Sequence, residues 1–355
     1  MNPAGKEKII SIDGSFMEGG GQVLRTATAL SILTKKPVRI YNIRSNRPQP
    51  GLRTQHLRGL EAVAELCNGR LERAKIGSKE VFFYPSEIGK KEINITLDTA
   101  ASVGLVLQSL LIASVKIGEK LVLNINGGAT FGKFAPPLQY IQFVLLPVLR
   151  RMGYHAEINI LRHGFFPAGG ARVKVMISPC SGLKPIDLSE RGEIETVNCV
   201  SVASASLKKP KVAERQVRVV EKAMRDKGYA CDIKSNYVDS SCTGSGVVLI
   251  AKSDNGCVLG SDGLGEMGKP AEIVAEEALN GIFKAIASGA AVDEHMGDQI
   301  LPYMALCGQK SCITAPELTM HAKTNMWVIK QFLPVEFETE CRGTNAKIEC
   351  IPLSI

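Results

Sequence analysis

Residues 8–25 read KIISIDGSFMEGGGQVLR, and this stretch decides the fold. Lys8–Ile12 reads as a strand, with Ile10 and Ile12 on one face and Ser11 on the other. Gly19, Gly20 and Gly21 then turn the chain, and Gly20–Thr34 carries apolar residues at helical spacing. A strand, a glycine turn and a helix open an α/β unit. Moving outward, Pro37–Ile43 reads as a strand and Leu52–Cys67 as a helix. Val81–Tyr84 and Glu92–Leu97 are strands, Ala100–Lys116 is a nearly all-apolar helix, and Leu121–Ile125 is a buried strand. Pro136–Met152 reads as a helix opened by prolines suited to a first turn. Tyr154–Leu161 and Ala171–Ile177 complete the run as strands. The rhythm recurs at about 80 residues without a strict sequence repeat, which predicts repeated α/β modules.

The rhythm breaks at Pro179–Pro185, where SPCSGLKP is a loop signature. Strands over Glu195–Ala203, Tyr229–Asn236 and Gly246–Ala251 follow, with a basic amphipathic helix over Val212–Lys227 and another from about Pro270. This predicts a small α+β domain, 184–280, inserted into a main domain of 1–183 and 281–355. Beyond Gly289 the helices are Asp298–Cys307 and Thr324–Phe332, and the last strands lie near Glu336–Thr339 and Lys347–Ile351.

The chain has 355 residues, of which 45% are hydrophobic and 22% charged, enough apolar side chain for a full core and too much for a disordered protein. No apolar run reaches the ~18 residues of a membrane span. The N-terminal MNPAGKEKIISIDG lacks the pattern of a signal peptide. The net charge of +8 favours anionic partners such as nucleic acid or nucleotide, a weak signal alone. The ten cysteines form neither C-x-x-C nor zinc-finger spacing, so they read as reduced thiols, although a pair such as Cys307 and Cys312 could bridge in a hyperthermophile.

Five motifs could carry chemistry. At Glu18–Arg25, glycines let the backbone approach a ligand, free N–H groups at a helix start favour phosphate, Glu18 could hold a divalent metal and Arg25 an anion. The same glycines also suit tight packing at a helix entry, and this is not a Walker A loop. Arg44, Arg47, Arg53 and Arg58 lie close together around prolines and Gly51, and their planar forks match phosphate oxygens or else form a solvated basic face. Gly127–Tyr140 could sandwich a base, although loop packing explains it as well. Arg162–Ala171 reads as a hairpin with an aromatic, glycine-bent loop containing His163. His321-Ala322-Lys323-Thr324-Asn325 sits near a helix start, which would keep an imidazole neutral and nucleophilic, or simply make it a capping histidine.

Taken together, Asp13-Gly14-Ser15 with EGGGQVLR (18–25), IRSNRPQPGLRTQH (43–56), LRHGFFPAGGARV (161–173), SGAAVDEHMGDQ (288–299) and HAKTN (321–325) resemble the RNA 3′-terminal phosphate cyclase family along essentially the whole chain. The family pattern HGxxPxGGG departs here at Ala171, which a hairpin tolerates at negative φ.

The resemblance implies α/β (α+β) modules, repeated units like the C-terminal domain of translation initiation factor three, with one smaller unit inserted. It implies that His321 attacks the α-phosphorus of ATP to form histidyl-AMP. AMP then passes to an RNA 3′-terminal phosphate, and the neighbouring 2′-hydroxyl closes a 2′,3′-cyclic phosphodiester. It implies Glu18 as the ligand of Mg2+ or Mn2+, and Arg25, Arg47, Arg44 and Gln55 as phosphate-binding residues. Gln108, Pro136, Tyr140, His295 and Asp298 match nucleotide-pocket positions, with Asp298 beside the adenylated histidine. His295 stands where bacterial members can carry a tyrosine stacked on adenine. The implied partners are ATP and RNA with a 3′-terminal phosphate, in the cytoplasm and without a membrane. The sequence leaves open whether a homodimer forms.

Two competing readings are a cyclase-like ribosome-assembly factor without nucleotidyl transfer and an enolpyruvyl transferase of similar repeated architecture. Intact HAKTN, EGGGQ and arginine motifs weigh against the first. The second has no motif of its own here.

Overall fold

The computed structural model describes residues 8–342 and 345–353. Residues 1–7, which carry part of the leader reading, lie outside the described residues. The first unit runs β1 (Ile10–Asp13), α1 (Gly21–Thr34), β2 (Val38–Tyr41), α2 (Thr54–Leu66), β3 (Arg70–Glu72) and β4 (Val81–Tyr84). The second runs β5 (Glu92–Ser102), α3 (Val103–Ala113), β6 (Leu121–Ala129), α4 (Leu138–Tyr140), a π turn (Ile141–Leu145), α5 (Leu146–Arg151), β7 (Ala156–Arg162) and β8 (Arg172–Ile177). A third begins at β9 (Asp187–Leu188) and is interrupted at once. The interruption is β10 (Ile194–Ser204), α6 (Val212–Lys227), β11 (Ile233–Val238), β12 (Ser245–Ser253), β13 (Val258–Leu264) and α7 (Ala271–Ser288). The third unit then resumes with α8 (Met296–Gln299), α9 (Leu301–Leu306), β14 (Ser311–Ala315), α10 (Met320–Phe332), β15 (Val335–Arg342) and β16 (Asn345–Pro352).

The chain is α/β, with four mixed four-stranded sheets among the described residues. Three share one topology. Their orders are β1-β2-β4-β3, β5-β6-β8-β7 and β9-β14-β16-β15. In each, the first pair is parallel and the other two are antiparallel. A parallel pair needs a crossover helix and an antiparallel pair only a short turn, so β-α-β-α-β-β gives this order each time. The interrupting sheet has a different order, β11-β10-β12-β13.

The helix α1 lies at the centre of the core, touching α2, α3 and α10. Eleven of its residues are buried, so it has no wet face. Its buried hydroxyls are satisfied locally: Thr28 donates to the Leu24 carbonyl at 2.8 Å and Ser31 to the Lys36 carbonyl at 2.6 Å.

Several elements differ from expectation, each for a physical reason. The helix expected over Pro136–Met152 contains a π turn just before Pro147, whose missing N–H breaks the regular ladder. The helix expected over Asp298–Cys307 starts at Met296 and splits at Ile300, before Pro302. The final helix starts at Met320, not Thr324, because Thr319 caps it. β3 and β9 are too short to show a period. β13, VLGSDGL, looks like a turn by composition, yet Gly260 leaves the space that the Tyr140 ring fills. Gly169 and Gly170 have φ of +82° and +88°, whereas Ala171 is not left-handed, so the departure there costs no strain.

All ten cysteines are free thiols, Cys307 and Cys312 included. No described helix is long and apolar enough to cross a membrane.

Candidate active site

Two helix N-termini meet at one place, those of α1 and α10. Thr319 caps α10, its hydroxyl accepting from the Ala322 N–H at 3.0 Å. His321, in that first turn, reaches across to the first turn of α1, where its Nδ1 lies 2.6 Å from Gln22 Oε1. An amide oxygen only accepts, so Nδ1 carries the proton and Nε2 keeps its lone pair. The His321 side chain is 51% exposed. Its pKa lies below the ordinary histidine value, through partial burial first and then the charges of Arg25, Arg47 and His295. The positive ends of the two helices act in the same direction.

The rest of HAKTN holds the imidazole in place. Thr324 donates to the Met320 carbonyl at 2.6 Å, and its hydroxyl oxygen lies 3.3 Å from the Glu18 N–H that donates to it. Asn325 accepts from the Thr26 hydroxyl at 2.7 Å and donates to the Asp298 carbonyl at 2.8 Å. One short motif therefore ties α10 to α1 and to α8.

Glu18 is nearly buried and paired with Arg47, while its Oε2 has no hydrogen-bond partner and lies 3.9 Å from His321 Nδ1. The glycines beside it serve space. A β-carbon at Gly20 would collide with the Glu18 carboxylate, and one at Gly21 with the His56 ring. Among the described residues no cluster of three His, Cys, Asp or Glu could hold a metal unaided. A single carboxylate with an unpaired buried oxygen still fits Mg2+, which typically takes one or two carboxylates plus substrate phosphates and water.

Arg25 donates from Nε to Gln108 Oε1 at 2.8 Å, which aims its fork into the cleft. Burial lowers its pKa to about 10, opposed by Asp298, so it stays charged at neutral pH. Burial pushes Asp298 up to about 7, while His295 and Arg25 pull it back. His56, behind Gly21, accepts from the Arg53 N–H at 3.2 Å. Burial first, then Arg25, Arg44 and Arg53, hold its pKa at about 3, so its ring is neutral.

The cleft has a volume of about 510 Å³. Of the residues expected at a site, His321, Arg25, Gln108, Pro136, His295 and Asp298 line it. Glu18 and Arg47 stand beside His321 without lining the cavity. Three others also lie off the cavity wall. Tyr140 is fully buried beneath the cleft, donating to Asp293 Oδ1 at 2.6 Å with its ring edge-on to His295 at 5.7 Å. Its apolar body fits the core better than a wet pocket, and it supports His295 from below. Arg44 donates from Nη1 to the carbonyls of Gln49 and Gly51 at 2.7 and 3.0 Å, so one arm of its fork holds the loop. Gln55 lines a separate small hollow with His56 and Leu60.

The sequence reading missed the wall supplied by the interrupting sheet. Asp262 and Lys269 line the cleft from β13 and the loop after it. Burial pushes Asp262 up to about 6. Neither residue sits in a motif, and only the chain's return to the main core brings them there.

The fold and the cleft together define an α/β protein whose cleft is lined by a buried arginine and a half-exposed imidazole. The model of the RNA 3′-terminal phosphate cyclase family matches residues 16–339. The chain is 40% identical over 355 residues to the RNA 3′-terminal phosphate cyclase of Methanopyrus kandleri, covering 97% of this chain and 99% of that protein. It is 41% identical over 354 residues to the protein of that name from Caldivirga maquilingensis, covering 98% and 99%. Against the one from Pyrococcus furiosus it is 41% identical over 334 residues, covering 94% and 95%. The chain belongs to the RNA 3′-terminal phosphate cyclase family.

Proposed function

We propose that this chain uses ATP to convert an RNA 3′-terminal phosphate into a 2′,3′-cyclic phosphodiester, with His321 as the nucleophile. The observation that carries the reading is the His321–Gln22 contact, which leaves Nε2 unprotonated at the cleft. Nε2 attacks the α-phosphorus, a P–N bond forms, the α–β P–O bond breaks and pyrophosphate leaves. The developing imidazolium keeps its Nδ1–H on Gln22. An oxygen of the RNA 3′-phosphate then attacks the AMP phosphorus, the P–N bond breaks and His321 returns to neutral. Finally the adjacent 2′-hydroxyl attacks the activated phosphate, loses its proton and expels AMP. Phosphate monoesters resist nucleophiles by charge, and capping with AMP supplies a leaving group. Tethering places the 2′-hydroxyl at high effective concentration.

Arg25, aimed by Gln108, and Arg47 offset phosphate charge. Arg44 and Gln55 complete the phosphate-binding set in this reading. Pro136 and His295 face the base, with Tyr140 supporting His295, and Asp298 stands by the adenylated ring. Glu18 would hold Mg2+ or Mn2+, which when bound neutralises phosphate charge.

The same proposal divides the chain into a main domain and an inserted domain, supported by three sheets of one order and a fourth of another. The bounds expected from the sequence, 1–183 with 281–355 and 184–280, shift, because β9 pairs with β14 in the main domain and the insertion runs from β10 at Ile194 to the end of α7 at Ser288. It gives the repeated unit the fold of the C-terminal domain of translation initiation factor three. It sets the reaction in the cytoplasm, in keeping with the free thiols.

Incubation with α-labelled ATP and Mg2+ or Mn2+, followed by a denaturing gel, tests the nucleophile. Wild type should take label and His321→Ala should not, and equal labelling rejects the assignment. RNA ending in a 3′-phosphate should become phosphatase-resistant, whereas RNA ending in a 3′-hydroxyl should not change.

A further inference from the structure

The mouth of the cleft carries a surface that the chemistry above does not use. Phe134 is 93% exposed, although it is a large apolar residue, and its backbone has a φ of +59°. A left-handed phenylalanine is uncommon, and here it directs a ring into solvent. Phe166, from the loop between β7 and β8, is 38% exposed. The Lys133 ammonium lies 5.4 Å from the Phe134 ring centroid and 5.6 Å from that of Phe166, so one cation contacts both rings. Lys133 is also paired with Glu266 at 3.1 Å, which anchors the cation between loops from different sheets. Lys133 and Phe134 border the same cleft as His321.

We propose that Phe134 and Phe166 form a stacking platform for unpaired bases at the 3′ end of RNA, with Lys133 against a phosphate between them. The inference rests on the function proposed above and deepens it. Flat rings accept any base, and a cation between them suits an anionic backbone. A base-paired end keeps its bases stacked on one another and cannot use the platform. The site therefore selects single-stranded 3′ ends and shows little sequence preference.

The test compares wild type with the Phe134→Ala/Phe166→Ala double variant. Labelling of His321 by α-labelled ATP with Mg2+, in the absence of RNA, should be unchanged. The KM for a single-stranded 3′-phosphorylated oligonucleotide, read by phosphatase resistance, should rise about tenfold with kcat held. Phe134→Trp with Phe166→Tyr should restore it. Wild type should also cyclise a single-stranded end in preference to a blunt hairpin end. An unchanged KM overturns the platform alone. Loss of labelling without RNA overturns it too, by giving the rings to the nucleotide. A wild type that takes no label at all removes the function reading, and the platform with it.

Discussion

Asn325 donates from Nδ2 to the Asp298 backbone carbonyl at 2.8 Å, and the residue four places after Asp298 is Pro302, which has no N–H to give that carbonyl. The proline that splits α8 from α9 thus frees an acceptor, and α10 takes it one turn beyond His321. Asp298 and His321 are held to one helix as a result.

Asn325→Ala would strand the Asp298 carbonyl and the buried Thr26 hydroxyl together. At about 1–3 kcal/mol for each unsatisfied buried group, the loss should be about 2–6 kcal/mol by urea unfolding. Histidine labelling should slow in the same variant. A stability within about 0.5 kcal/mol of wild type contradicts this account.

Gln22→Ala should slow labelling of His321 about tenfold, because the ring loses the acceptor that selects its tautomer. Single-turnover labelling at saturating ATP reads this directly. A rate equal to wild type means that Gln22 does not position the ring.

Glu18→Gln keeps the size of the side chain but removes its charge and one acceptor. The Mg2+ concentration giving half-maximal labelling should rise about tenfold or more, and excess chelator should abolish labelling in wild type. Circular dichroism should show the fold retained. An unshifted metal dependence would place the ion elsewhere.

His163, which packs beside the stacked Phe131 and Phe165 rings, is held by burial at a pKa of about 4. Between pH 6.5 and 4 the unfolded chain takes a proton that the native state refuses, so this group costs stability as pH falls through 6.5. In His163→Gln the loss of unfolding free energy between pH 7 and 5 should be smaller than in wild type by about 1–2 kcal/mol. Identical slopes would show that the ring protonates freely in the native state.

How much was legible follows from where each signal lives. β4, and α6 with its capping Gly228, fall where the pattern puts them, because residues within one turn or one strand carry that information. Cleft residues in contiguous motifs, such as Arg25 and His321, were legible for the same reason. The burial of Tyr140 was not legible, because burial depends on what covers a ring, and its covering residue Gly260 lies in a strand disguised as a turn. That Arg44 Nη1 holds two loop carbonyls was not legible either, because a guanidinium can serve a phosphate or a carbonyl and the sequence is identical in both cases.

The sequence by itself determined the alternation of strands and helices, the glycine turn into α1 and the presence of one helix-start histidine, since local sterics and periodicity suffice for these. Only the tertiary structure decided which nitrogen of His321 is free, which arginines reach the cleft and that β13 supplies a wall. Those outcomes depend on contacts between residues hundreds of positions apart, such as His321 with Gln22, and no local pattern encodes them.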